Sequence, residues 1–321
     1  MGQGPRGAEF HRGNRDLNHS MLLRLPDNLD RGRQGWNNTL HRMLVLSGLF
    51  EIEFKSLSAP NGNDGYFPNP RVPGARNRHW SNFELNGLLI GLDTWDTLSP
   101  TAKYEQAGLF RDYLRGVSLI IKVQHHKCPH WEGFMGRTGK PVTGWTVMPT
   151  HWFPILNPPF QWSERGHKYT ACVTGKNNRF GREIWVNWAA VTGDFYTKAD
   201  CTSVDPPDVY FEVLRNCRWG LVLRGKRGAE KNRREVEFTA CGMPLALNYC
   251  PEYPFPMTPG VDFFYVEKPD DLVRLRETDP RPFAAASQRL FREHFSPIGM
   301  AKTLVGLAGA LPRSNDGHNL P

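Results

Sequence analysis

Short apolar runs alternate with helix-patterned stretches along this chain, and the alternation restarts once; no other feature limits its fold as strongly. "MLLRLP" (21–26) reads as a strand, "TLHRMLVLSGLF" as a helix and "EIEFKSL" as the next strand. "FELNGLLIGLDTWDT" offers a buried strand ending at Asp93, "TAKYEQAGLFRDYLRG" a helix, and "VSLIIKVQHH" and "GWTVMPTHWFPI" two more strands. Between them, "SAPNGNDGYFPNPRVPGARNRHW" (58–80) is rich in Pro, Gly and Asn and is predicted to be loop. "LNPPFQWSERGHK" (156–168) reads as a linker, after which the pattern begins again. Strand "YTACVTG" is followed by helices "REIWVNWAAV" and "DVYFEVLRNC", strand "WGLVLRG", helix "NRREVEFTACG" and strands "MPLALN" and "VDFFYVE". "PDDLVRLRE", "PFAAASQRLFREHFS" and "PIGMAKTLVGLAGAL" close the chain as helices.

This order predicts an α/β protein with two Rossmann-like halves. The boundaries expected are a flexible arm over 1–20, a first unit over 21–157, a second over 158–296, and a terminal helix and tail over 297–321. The N-terminal stretch lacks the apolar core of a signal peptide, and no apolar run approaches the length of a membrane span, so a soluble, cytoplasmic protein is expected. Six dispersed cysteines without a Cys-x-x-Cys pair argue for reduced thiols rather than a zinc knuckle or a disulfide framework.

The formal net charge of +8 favours an anionic partner: nucleic acid, a membrane surface in peripheral contact, or a phosphorylated substrate. Where the charge lies narrows the choice. Arg224, Lys226, Arg227, Lys231, Arg233 and Arg234 fall between the strand "WGLVL" and a helix starting near residue 232. In open α/β sheets, anions bind at the carboxyl ends of strands, where helix N-termini present free N–H groups. Glu235 and Glu237 follow in the first turns of that helix, where a carboxylate can accept the hydroxyls of a ribose. Both can equally complement the helix dipole, with the arginines simply solvated. A nucleic-acid surface would instead spread basic residues and aromatics over a continuous face, and no nucleic-acid partner is expected.

"YFEVLRNCRWGLVLRGKRGAEKNRREVEFTACGMPLALN", with "PDDLVRLRE" and "FREHFSPIGMAKTL", resembles the C-terminal domain of exostosin-like glycosyltransferases over about residues 168–305. The resemblance implies the GT-B fold: two Rossmann-like domains facing a central cleft, with a nucleotide-sugar held mainly by the second and a glycan acceptor by the first. It implies that Arg224 and Lys231 face the diphosphate and Glu235 or Glu237 the ribose. "TGKNNRFGRE" then follows the first strand of that domain, with Gly175 allowing close backbone approach and Lys176, Arg179 and Arg182 within reach of phosphate oxygens. The aromatics of "NYCPEYPFPMTPG", Tyr249, Tyr253 and Phe255, border the donor pocket in this resemblance, although a structural proline-rich connection reads the same way.

Sugar transfer with inversion needs a group to take the acceptor proton. Asp93, at the end of "LLIGLD", and Asp96 just beyond it are the first candidates, with Trp95 between them suited to stacking on a sugar. Asp93 can as readily cap a turn, and Asp27, Asp30, Asp64 and His79 are rivals. No Asp-x-Asp is present, so no metal cofactor is expected and cationic side chains would stabilise the leaving diphosphate. The cluster His125, His126, Cys128 and His130 lacks a second ligand pair at zinc spacing. A basic nucleic-acid-binding protein and an inactive glycan-binding relative are the alternatives to a transferase.

Overall fold

The computed structural model describes residues 21–26, 36–55, 66–68, 76–93, 117–122, 146–149, 158, 160–174, 182–198, 207–223, 233–251, 253 and 255–309. Its strands form two sheets. The first contains β1 (Met21–Pro26), β2 (Phe50–Lys55), β3 (Tyr66–Pro68), β4 (Arg76–Leu85), β5 (Leu88–Asp93), β6 (Val117–Lys122) and β7 (Thr146–Pro149). The second contains β8 (Tyr169–Thr174), β9 (Tyr196–Lys198), β10 (Cys217–Val222), β11 (Leu245–Leu247) and β12 (Phe264–Tyr265). The helices are α1 (Trp36–Leu46), α2 (Arg182–Thr192), α3 (Pro207–Arg215) and α4 (Arg233–Ala240). A 3₁₀ turn (Pro269–Val273) leads into α5 (Arg274–Glu277), and α6 (Arg281–Leu290) runs on as a π-helical turn (Phe291–Phe295) before α7 (Pro297–Gly309).

Both sheets are wound alike. The second runs β9-β8-β10-β11-β12 with every pair parallel. The first runs β2-β1-β4-β5-β6-β7, with β3 on β4; β4 is antiparallel to β1, β3 and β5, and the other pairs are parallel. Taking the parallel strands alone, each sheet places its second strand outside its first and then adds the third, fourth and fifth on the other side. This is doubly wound α/β topology, in which ligands gather where the strand order turns back. In the first sheet β4 is inserted at that turning point.

The central strands are apolar because both faces are covered. On one face of the second sheet, Ala171, Val173, Trp219 and Leu221 pack against Trp185, Val186 and Ala189 of α2 and against Leu272, Leu275 and Phe283. On the other, Cys172 and Val222 meet Leu214 of α3 and Phe238 of α4. The first sheet packs Leu23 and Leu25 of β1 and Ile90 and Leu92 of β5 with Leu40, Met43 and Leu44 of α1. The last helix joins that same core: Met300, Ala301, Leu304 and Leu307 of α7 lie among these residues. The chain thus ends its described course against the sheet with which it began.

Four local features differ from the sequence expectation. Residues 66–68 and 76–80, expected to be loop, belong to β3 and β4. Strand pairing, not composition, sets them, since β4 gains ladders from β1, β3 and β5. "FELNGLLIGLD" is two strands, not one, turning at Asn86 and Gly87, whose φ values of 49° and 85° make the positive-φ pair of a tight hairpin. Asn86 also donates its N–H to Leu22 O at 2.9 Å and accepts Leu22 N–H on Oδ1 at 2.8 Å, which ties the turn to β1. The three-residue edge strand β9 was not expected at all. Finally, the expected linker is packed: Phe160 is buried, and Trp162 donates its N–H to Cys241 O in the turn after α4 (2.8 Å) and its Nε1–H to Arg218 O of β10 (3.1 Å). The helix expected over 101–116 and the arm over 1–20 lie outside the described residues.

Candidate functional site

The order of the second sheet turns back between β8 and β10. These two strands end at Thr174 and Val222, and the segments that leave them, 175–181 and 224–232, lead to α2 and α4. The donor-site residues singled out from sequence belong to those two segments: Gly175 and the basic Lys176 and Arg179 to one, the basic Arg224, Lys226 and Lys231 to the other. All six lie outside the described residues, and Arg182 is described only as the residue that opens α2.

α4 carries the two glutamates, and the structure separates them. Residues two apart on a helix are turned by about 200° from each other. Glu235, in the first turn, has no solvent exposure. Its Oε1 accepts the hydroxyl of Tyr249 and its Oε2 that of Tyr253, both from the chain that leaves the carboxyl end of β11. A carboxylate removed from water must be satisfied by donors, and two phenols on two oxygens meet that need. Burial holds the Tyr253 phenol well above its ordinary pKa, so it stays protonated and keeps donating. Glu237 faces elsewhere, towards α3, where the Tyr210 hydroxyl lies at a long 3.4 Å from its Oε2. Burial pushes the nearby Cys241 thiol up to about 12, and the Glu237 carboxylate adds to that rise.

The segment after β11 is held at both ends. Asn248 N–H reaches Val222 O at 3.4 Å, which keeps the start of the segment beside the end of β10. At its far end Asp262 is buried, accepts Thr258 N–H on Oδ2 at 2.8 Å and pairs on Oδ1 with Arg289 Nη2 of α6 at 2.5 Å. Between these anchors, Tyr253, Phe255 and His294 form a stack. The Tyr253 and Phe255 rings are 5.0 Å apart at 8°, and Phe255 and His294 are 3.8 Å apart at 3°. Phe295 meets Tyr253 and Phe255 edge-on. Partial burial lowers the His294 pKa, against the opposing pull of Glu293 and Asp262. His294, Phe295 and Tyr210 were not singled out from sequence; their partners are far along the chain and no local pattern marks them.

In the first sheet, Asp93 is the last residue of β5, in register with Trp80 of β4 and Lys122 of β6. Because β1, β2, β5, β6 and β7 point the same way, Asp93 stands at their common carboxyl edge, the edge from which ligand-binding loops of such sheets emerge. Asp96, Trp95, Asp27, Asp30, Asp64, His125, His126, Cys128 and His130 lie outside the described residues, and His79 is described only by its place in β4. Among the described residues no three His, Cys, Asp or Glu side chains gather as a metal site, and no helix is long and apolar enough to cross a membrane.

No protein-family model matches this chain. No curated protein matches it in sequence. Among solved structures, it is similar to the pneumococcal O-GlcNAc transferase GtfA, crystallised in complex with UDP and GlcNAc, with a TM-score of 0.35 and 9% sequence identity. That match covers 62% of this chain and 47% of the transferase, so the chain spans about half the length of the structure it matches.

Proposed function

We propose that this protein is a glycosyltransferase of GT-B type, moving a sugar from a nucleoside-diphosphate donor to a carbohydrate hydroxyl. The observation that carries the nucleotide half of this reading is topological. The basic segments 175–181 and 224–232 leave the two strands between which the second sheet reverses its order, where doubly wound sheets bind nucleotides. The transfer half rests on the resemblance to exostosin-like enzymes.

In this reading the second unit, 158–296, holds the donor and the first, 21–157, the acceptor across a cleft. Gly175 lets the backbone approach the diphosphate closely, and Lys176, Arg179, Arg182, Arg224, Lys226 and Lys231 neutralise it. Glu235 accepts the ribose. Its place in the first turn after the basic segment and its tyrosine partners favour it over Glu237, which faces α3. The acceptor oxygen attacks the anomeric carbon, and the bond to the diphosphate oxygen breaks with its electron pair leaving on the nucleotide. The acceptor proton passes to Asp93 or Asp96, and the configuration inverts. Cationic side chains rather than a metal ion take up the leaving charge.

Thermal shift against UDP, GDP, CDP and ADP, with and without EDTA, tests the reading. One nucleotide should raise the melting temperature, with EDTA making no difference, and the cognate nucleotide-sugar should release that diphosphate only when a glycan acceptor is supplied. A folded sample that ignores all four nucleotides and binds a polynucleotide at low salt would overturn it in favour of nucleic-acid binding.

A further inference from the structure

The donors on Glu235 imitate a ribose. A ribose offers a carboxylate two hydroxyls on adjacent carbons, one for each oxygen; Tyr249 and Tyr253 offer the same carboxylate one phenol for each oxygen. We propose that Tyr253 is an internal competitor for Glu235, which the ribose of a bound nucleotide displaces, while Tyr249 stays and positions the carboxylate. This rests on the reading of Glu235 as the ribose acceptor.

The two tyrosines are not equivalent. Tyr249 stands two residues beyond β11, is 2% exposed and packs in the core with Leu214, Phe238 and Phe263. Moving it would open that core. Tyr253 lies four residues further on, past the exposed Cys250, and is itself partly exposed. Its ring stacks on Phe255 and meets Phe295 edge-on at the margin of the first sheet's core, and a stacked ring can slide while keeping much of its contact. The hydroxyl on Oε2 is therefore the exchangeable one. A phenol-to-carboxylate bond is charge-assisted, so a ligand that breaks it binds more weakly by the strength of that bond. In the language of populations, only the fraction of molecules with Tyr253 withdrawn is ready to bind, and the apparent affinity falls by that fraction.

This predicts a sign that a positioning role would not. Tyr253→Phe keeps the stacked ring and removes only the competing hydroxyl, so it should tighten nucleotide binding; Tyr249→Phe, which frees the carboxylate to turn, should weaken it. The full chain, as wild type, Tyr253→Phe, Tyr249→Phe and Glu235→Gln, is titrated calorimetrically with UDP, GDP, CDP and ADP and with their 2′,3′-dideoxy counterparts. Circular dichroism first confirms that each variant is folded. The expected result is that Tyr253→Phe binds one ribonucleotide at least fivefold more tightly than wild type. Its dideoxy counterpart should gain nothing, and Glu235→Gln should lose affinity for the ribonucleotide. If Glu235→Gln weakens binding but Tyr253→Phe is equal to or weaker than wild type, the competitor is overturned and the ribose reading stands. If neither wild type nor Tyr253→Phe binds any of the four, the ribose reading fails and takes the competitor with it.

Discussion

Gly220 of β10 lies against the ring of Phe238 of α4 so closely that a β-carbon on the glycine would come within 2.5 Å of the ring Cδ2 and 2.8 Å of Cγ. Neither element is free to back away. The strand is held by Gly220 N–H to Pro244 O at 2.9 Å and by β8 and β11 on either side. Phe238 is buried in the core between α3, α4 and the sheet. Gly220→Ala should therefore overpack the joint and destabilise the protein by about 1–3 kcal/mol. A denaturant midpoint equal to that of wild type would show that α4 does not approach β10 as described.

The crossing from α6 to α7 makes a second, sharper demand. A β-carbon on Gly299 would lie 2.7 Å from Glu293 C and O and from His294 N, all backbone atoms of the π-helical turn. Backbone cannot rotate out of the way as a side chain can, so Gly299→Ala should destabilise by about 3 kcal/mol, at the upper end of overpacking costs. Gly306, seven residues on in the same helix, has nothing within 4 Å of its would-be β-carbon. Gly306→Ala should stabilise by about 0.4–1 kcal/mol through the unfolded chain alone. Opposite shifts in melting temperature for two identical substitutions on one helix are the expected outcome.

What could be read from sequence depended on length and on locality. β8, α2, β10 and α4 were legible because each is an apolar or amphipathic run long enough to show its period, such as "YTACVT" and "REIWVNWAAVT". β9 was not, being three residues that, among the described residues, pair only with β8. The hairpin at Asn86–Gly87 carried a local signal that went unread because apolar residues continue on both sides of it. In the site, sequence placed Glu235 and Glu237 together beside a basic run; helical geometry sent one to Tyr249 and Tyr253, 14 and 18 residues away, and the other towards Tyr210. Such pairings are made by the fold.

The Asn86–Gly87 turn also permits a direct test of that missed signal. Gly87 has φ 85°, where a β-carbon is strained although nothing lies within 4 Å of it. Gly87→Ala should cost about 1 kcal/mol with no steric contribution, and Gly87→Asn, a residue tolerant of positive φ, should recover part of it. Equal melting temperatures for the two variants would count against a positive-φ turn.

His41 of α1 gives the protein an acid limit. Its ring is fully buried, edge-on to Phe83 at 5.9 Å, with Nε2 3.5 Å from Ser81 Oγ and no partner for Nδ1 among the described residues. Burial lowers its pKa from 6.5 to about 3, so the folded protein keeps it neutral while the unfolded chain protonates it below 6.5. Stability from this group is complete above pH 6.5 and is lost as pH falls from there towards 3, by up to about 1.4 kcal/mol per pH unit. His167 and His294, also lowered by burial, act in the same direction from the same starting point. Asp194 does not interfere: burial pushes its carboxyl up, but the hydrogen bonds from Arg276 and Thr170 outweigh that and leave it below 3.8. Urea midpoints between pH 7.5 and 5.0 should therefore fall for wild type and fall less steeply for His41→Leu, which keeps an apolar side chain against Phe83 and has no proton to gain. Parallel slopes for the two proteins would mean that His41 is protonated in the fold or reaches water.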